Sequence, residues 1–347
     1  MIFFKILHEQ LVTFMPQKKE KKQEDDHGVE FALRPSEWED YVGQENVKTN
    51  TRLIIDAAKK RGEVCDHLLF YGQAGLGKTT LAYLIGREMG ANVRSTTGPA
   101  LEKAGDVAAI LSNLEPYDIL FIDEVHRINK LVEEILYPAL ESRKLHFIVG
   151  KGASARTFSL DLPPFTVIAA TTKVNLLSSP LRSRFGATFK LDYYRHADIE
   201  KILARSAGIL KTSITDGAIK LLAGASRFTP RTANRLLKRA RDYADVYGDG
   251  IINEGVVDKI LNLLEIDHLG LERTDRELLN ALICKFRGGP VGLKAMSATL
   301  SEEMGTIEDV YEPFLMSLGL LERTSLGRIA TKAAYEHLKI PIKEKLV

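Results

Sequence analysis

The stretch GQAGLGKTT, residues 72–80, decides the fold. It follows a short apolar run, HLLFY (67–71), and leads into TLAYLIGREMG (80–90), whose apolar residues recur at helical spacing. Strand, glycine-rich loop and helix in that order make a phosphate-binding loop. The glycines let backbone N–H groups turn inward on phosphate oxygens, and the helix N-terminus adds positive potential. Lys78 is placed to reach the β- and γ-phosphates, and Thr79 to offer its hydroxyl to Mg²⁺.

The partners of such a loop lie further along the chain. In ILFIDEVH (119–126) four apolar residues predict a buried strand with two carboxylates at its tip. Ligands of open α/β sheets bind at the carboxyl ends of strands, so Asp123 is expected in the Mg²⁺ shell and Glu124 beside the attacking water. TVIAATT (166–172) is a second buried strand ending in hydroxyls, and either Thr171 or Thr172 is placed to sense the γ-phosphate. LRSRF (181–185) offers Arg182 and Arg184 as candidates for an arginine presented across a subunit boundary. TPRTANRLLKRARDYADVYG (229–248) predicts a helix with Thr229 as N-cap and Pro230 at the first position. Arg231 then opposes the helix dipole, which favours an anion facing it.

Together these motifs resemble the RuvB family, the AAA+ motors of bacterial Holliday-junction branch migration. The matching stretches are LRP (33–35), YVGQ (41–44), GLGKTTLA (75–82), GPALEKAGD (98–106), LFIDEVHR (120–127), EILYPALE (134–141), DLPPFT (161–166), ATT (170–172), SPLRSRFG (179–186), TPRTANRLLKR (229–239) and KFRGGPVGL (285–293), in family order. The resemblance implies ATP and Mg²⁺ as cofactors. It implies that Leu33, Arg34, Tyr41 and Val42 flank the adenine. Gly75, Gly77, Lys78, Thr79 and Thr80 would hold the phosphates, and Tyr194 and Arg231 would close the site. Thr171 resembles the γ-phosphate sensor and Arg184 the arginine finger. It further implies a homohexamer on duplex DNA at Holliday junctions, RuvA as partner, RuvC as a further candidate partner, and a cytoplasmic location. The competing reading is an ATP-gated DNA-binding protein of clamp-loader or initiator type, to which GPALEKAGD and the hairpin below are foreign. A degenerate scaffold is disfavoured by the intact Lys78, Asp123, Glu124 and Arg184.

Alternating strands and helices over residues 30–194 predict a P-loop AAA+ α/β domain with a parallel sheet. Strands are expected at 67–71, 92–97, 119–122, 166–172 and 187–192. KLHFIVG (144–150) and RTFSLDL (156–162), joined by KGASA, predict a β-hairpin. In the family such a hairpin contacts RuvA, and Phe147, Ile148 and Phe158 are the apolar candidates for that contact. Residues 195–268 read as a small helical lid domain. Residues 269–347 read as a winged-helix DNA-binding domain, with helices near 275–287, 292–301 and 306–318 and a short hairpin, LLER (320–323) to RIAT (328–331).

Several positions depart from the family pattern. Gln73-Ala74 stands where two prolines are common, and Phe228 where a glycine is usual. In the wing, RTSLGR (323–328) replaces a sequence close to RTPRGR, so Leu326 takes the place of a basic residue. Met304 occupies a common arginine position. Arg323 and Arg328 remain as the DNA-contact candidates. With 11 Lys+Arg and 11 Asp+Glu in residues 269–347, this is not a basic domain, and weak, salt-sensitive DNA binding is expected from a single subunit.

A net charge of +2 neither demands nor excludes nucleic acid. Two distant cysteines, Cys65 and Cys284, rule against a disulfide framework. No spacing of histidines or cysteines suggests a structural metal. MIFFKILHEQLVTFM (1–15) is too short and too interrupted by charge for a membrane span, and QKKEKKQEDDHG (17–28) after Pro16 is a solvated charge run. Residues 1–29 are therefore expected to be a disordered or dispensable tail, with Met15 as an alternative start.

Overall fold

The computed structural model describes Gly28, residues 31–149 and residues 156–342; the side chains of 147–149 and 156–157 are left out. The expected tail, apart from Gly28, and the KGASA turn lie outside the described residues. The chain divides into two compact units, residues 1–34 and residues 35–347. In the first, the Arg34 N–H donates to the Phe31 carbonyl (3.1 Å) and its guanidinium stands over the Phe31 ring. Leu33 and Arg34 belong to that unit.

The second unit is built on a parallel sheet. Its strands are β1 (Leu68–Tyr71), β2 (Val93–Thr97), β3 (Ile119–Asp123), β6 (Thr166–Thr171) and β7 (Ala187–Lys190), in the spatial order β2-β3-β6-β1-β7. Between β3 and β6 the antiparallel hairpin of β4 (Lys144–Val149) and β5 (Arg156–Asp161) is inserted, with Phe147 opposite Phe158. Side chains alternate across the sheet. Leu68, Phe70, Phe121 and Ile168 enter one core, which continues without a break into the lid helices at Ile199, Leu203 and Leu236. Leu69, Leu120, Ile122 and Val167 enter a second core under helices Ala104–Ser112 and Lys130–Ser142. Because β6 is buried along its whole length, it fixes the middle of the sheet.

Lid helices His196–Leu210, Asp216–Gly224, Pro230–Tyr247 and Glu254–Leu263 follow, with β8 (Ser213–Ile214) pairing β9 (Ile251–Ile252). Thr229 Oγ1 accepts the Thr232 N–H at 3.4 Å, the cap expected of it. Phe228, where the resemblance expects glycine, takes φ 54°. A side chain there costs about 1–2 kcal/mol of backbone strain. The ring offsets this by packing between Tyr193 (6.3 Å) and Phe314 (6.2 Å).

The last core gathers Leu278, Leu282, Met296, Ile307, Phe314 and Leu321. Around it stand helices Arg273–Asn280, Leu293–Leu300 and Glu312–Ser317 and the wing of β10 (Leu321–Thr324) and β11 (Gly327–Ala330). A bridge from Val291 to Arg328 adds a third short strand segment. The third expected helix, near 306–318, runs unbroken from Met304 to Ser317, widened by one π-type turn at Ile307–Tyr311.

Candidate nucleotide site and wing

The carboxyl ends of β1, β3 and β6 meet at one edge of the sheet. Tyr71 is registered against Thr171, and the Gly72 N–H donates to the Thr171 carbonyl at 3.2 Å. The loop that leaves β1 turns through Gly75 (φ 81°) and Gly77 (φ 97°), conformations open to glycine and strained for other residues. Space is equally limiting. A Cβ on Gly77 would stand 2.8 Å from the Tyr41 hydroxyl, and one on Gly75 would stand 3.0 Å from Arg231 Cβ. The loop is thus walled by Tyr41 on one side and the first turn of the lid helix on the other, with its N–H groups left to face a phosphate.

Lys78 is buried, and its Nζ donates to the carbonyls of Gly72 and Gln73, each at 2.8 Å. Burial lowers its pKa, opposed by Asp123 and Glu124 and reinforced by nearby Arg231. Thr79 Oγ1 lies 3.4 Å from Asp123 Oδ2, and the Glu124 N–H donates to Asp123 Oδ1 at 2.9 Å. A hydroxyl and a carboxylate oxygen converging at the helix N-terminus are the donor set a hard divalent cation takes beside phosphates. Glu124 adopts φ 50° as the chain turns off β3, which swings its carboxyl away from the strand axis. Its Oε2 is met by the Thr172 hydroxyl (3.3 Å) and by His126 Nδ1 (3.1 Å).

The two hydroxyls offered for γ-phosphate sensing stand in different surroundings. Thr171 is fully buried; its Oγ1 lies 2.9 Å from His126 Nδ1 and accepts the Lys173 N–H. Thr172, the first residue beyond β6, touches Glu124 and lines a cleft with Gln73, Ala74 and Thr229.

Tyr194 is buried, its hydroxyl donates to the Leu76 carbonyl at 3.2 Å, and burial pushes its pKa up to about 12. Tyr41 is buried beside it and pushed up by the same cause. Val42 follows at the surface of this wall, and Thr80 continues the helix begun at Lys78. Arg231 sits in the first helical turn against Gly75.

Three other expectations fall elsewhere. The Arg184 guanidinium pairs with Glu141 (2.9 Å) and lies over the Tyr137 ring. In the hairpin Phe158 is exposed, whereas the side chains of Phe147 and Ile148 lie outside what the structure describes. In the wing Arg328 Nε donates to Glu312 Oε1 at 2.6 Å, and Arg323 grips the other oxygen of the same carboxylate. Glu312 is fully buried and Arg328 nearly so, so Arg328 neutralises an internal acid. Arg323 is only partly exposed and shares that task. His126, Lys173, Asp309 and Glu312 were not singled out from sequence. His126, within ILFIDEVH, and Lys173, directly after TVIAATT, stood close enough to a recognised motif to be suspected.

Comparison with known proteins agrees with this layout. The family described as "Holliday junction DNA helicase RuvB P-loop domain" matches residues 33–191, the RuvB AAA lid domain matches 194–267, and the RuvB C-terminal winged helix domain matches 268–339. A relative from Rubrobacter xylanophilus, the Holliday junction branch migration complex subunit RuvB, is 52% identical over 322 residues, 93% of this chain and 90% of its own. The solved Thermotoga maritima RuvB branch migration motor is 47% identical with a TM-score of 0.81, covering 90% of this chain and all of its own. A point variant of the same protein gives 0.82. With a phosphate loop, lid and wing that all match in order, the chain belongs to the RuvB family.

Proposed function

We propose that this chain is an ATP-driven motor subunit that moves the crossover of Holliday junctions during recombination and repair. The observation that carries the reading is the convergence of Lys78, Thr79, Asp123 and Glu124 at one sheet edge, in a chain that ends in a winged helix. Six copies form a ring on duplex DNA in the cytoplasm. RuvA docks on the β4–β5 hairpin through Phe158 and its neighbours Phe147 and Ile148, and RuvC joins the same junction. The working division is a motor domain at 30–194, a lid at 195–268 and a winged helix at 269–347.

ATP is the substrate. Its phosphates enter the loop between Tyr41 and Arg231, and Lys78 exchanges two loop carbonyls for phosphate oxygens. That exchange suits a buried ammonium, because a charge-assisted bond to phosphate is stronger than one to a neutral carbonyl. Thr79 and Asp123 are the residues that would hold Mg²⁺, which neutralises charge on the transferring phosphoryl group. Glu124 orients the attacking water, and Thr172 reads the γ-phosphate from the next strand. Arg184 acts in the site of the neighbouring subunit, where an arginine contributes about 10³–10⁵ in rate. Arg231 ties the nucleotide state to the lid, so loss of the γ-phosphate frees that helix to turn.

The test is ATP hydrolysis and strand separation on a synthetic four-way junction, with and without RuvA. Junction processing that needs ATP and both proteins, and that disappears in Glu124→Gln, supports the motor. Hydrolysis at the parental rate in Lys78→Ala would show the site to be wrongly placed.

A further inference from the structure

Glu124 is tethered twice, and both tethers rest on one short turn. The first is the Thr172 hydroxyl, 3.3 Å from Oε2. The second is His126, whose Nδ1 lies 3.1 Å from the same oxygen. That nitrogen also lies 2.9 Å from Thr171 Oγ1. A neutral imidazole nitrogen is either donor or acceptor. As a donor it holds Glu124; as the acceptor of the Thr171 hydroxyl it turns a lone pair toward the carboxylate and releases it. What Thr171 does therefore decides what His126 does. Thr171 Oγ1 is itself fixed by the Lys173 N–H at 2.9 Å.

Residues 171–173 are in turn fastened to the winged-helix region. Lys173 Nζ pairs with Asp309 at 2.5 Å, and Asp309, Val310 and Phe314 line the same cleft as Gln73, Thr172 and Thr229. Thr172 cannot give its one hydroxyl hydrogen to Glu124 and to a γ-phosphate at once. While Thr172 donates to Glu124, the groups needed for hydrolysis occupy each other.

The geometry points to a gate on hydrolysis operated from the winged helix: the Lys173–Asp309 pair pins the 171–173 turn, and through it Thr172 and His126 keep Glu124 from the attacking water until the winged helix moves on DNA. Thr172, His126, Lys173 and Asp309 are positioning residues in this account. It rests on Glu124 as the carboxylate that orients water.

The experiment measures kcat and KM for ATP on the full-length chain, without DNA and with a four-way junction. Losing one hydrogen bond or an ion pair of this kind changes a rate by about threefold to tenfold. In His126→Ala the DNA-free kcat is expected to rise by about that factor, with KM unchanged. His126→Asn, which restores a polar group near the Nδ1 position, is expected to return it toward the parental value. Asp309→Asn is expected to raise the DNA-free kcat in the same way and to shrink the further gain from DNA. Parental or lower DNA-free kcat in both His126→Ala and Asp309→Asn overturns the gate. If His126→Ala does not fold, Asp309→Asn, a partly exposed position, decides alone. Glu124→Gln is run beside them: surviving hydrolysis there overturns the assignment of Glu124, whereas its loss together with unaltered His126→Ala and Asp309→Asn overturns only the gate.

Discussion

The Arg184 guanidinium lies 2.9 Å from Glu141 Oε2 and stacks 5.6 Å from the Tyr137 ring centroid. Its Nη1 also contacts Ser183 Oγ at 3.2 Å. The proposed role of Arg184 in a neighbour's nucleotide site requires it to leave this pair. Arg184→Ala is expected to lower turnover by about 10³-fold or more while leaving ATP affinity near parental. Mixing Arg184→Ala with Lys78→Ala subunits is expected to recover part of the activity, since each supplies what the other lacks. A steady-state assay on the mixture checks this, and absence of any recovery would argue for action within one subunit. Glu141→Ala, an exposed partner, is expected to change stability by less than about 1 kcal/mol.

His67 makes a pH prediction. Its Nδ1 accepts the Val167 N–H at 2.9 Å and its Nε2 donates to the Leu140 carbonyl at 3.1 Å. Only the neutral Nε2–H tautomer serves both. Burial is the main cause lowering its pKa from 6.5, opposed in part by the Leu140 carbonyl and Asp66. The unfolded chain therefore binds more protons than the folded one just below pH 6.5. The stability this site contributes is complete above that value and is lost as pH falls through the depressed folded value. His126 is lowered in the same direction, also chiefly by burial. Melting temperature is expected to fall between about pH 7 and pH 5, with a shallower slope in His67→Gln. An identical slope in that variant would remove His67 from the account.

Much of this architecture can be read from residues 67–80 and 119–126, because glycine in left-handed backbone and carboxylates at a strand tip are local demands. Thr229 as a helix cap is legible for the same reason. The difference between Thr171 and Thr172 is not, since both satisfy the pattern and only their tertiary contacts, His126 for one and Glu124 for the other, separate them. The wing shows the opposite limit. Nothing local announces that Glu312, eleven and sixteen residues before Arg323 and Arg328, pairs with both. Long-range charge pairing leaves no periodic trace in the sequence. Nor do Lys173 and Asp309, which meet across 136 residues.

Glu312 is accordingly predicted to be structural. It is fully buried, and Arg328 beside it is 12% exposed. Removing one partner of a desolvated pair leaves the other charge uncompensated, at a cost of about 3–5 kcal/mol. Glu312→Ala is expected to lose stability in that range by urea denaturation. Adding Arg328→Met should recover a large part of it, because the unpaired charge leaves with the side chain. A cost below about 1 kcal/mol would mean that water reaches the pair.

The last prediction concerns the wing tip. Leu326 is 79% exposed in the turn between β10 and β11, where Thr324 Oγ1 donates to the Gly327 carbonyl at 2.8 Å. The turn is ordered by its own hydrogen bond, so a new side chain at 326 inherits a defined position. With Arg328 engaged by Glu312 and Arg323 partly so, the tip lacks a free cation where it would meet a phosphate backbone. Leu326→Arg is expected to strengthen duplex binding at low salt and to steepen the plot of log K against log salt by about one unit. Arg328→Met should behave differently, lowering stability more than it changes the salt slope, since its charge already has an internal partner. Fluorescence anisotropy over a salt series separates the two. An unchanged slope in Leu326→Arg would place the tip away from DNA phosphates and shift the contact to another face of the domain.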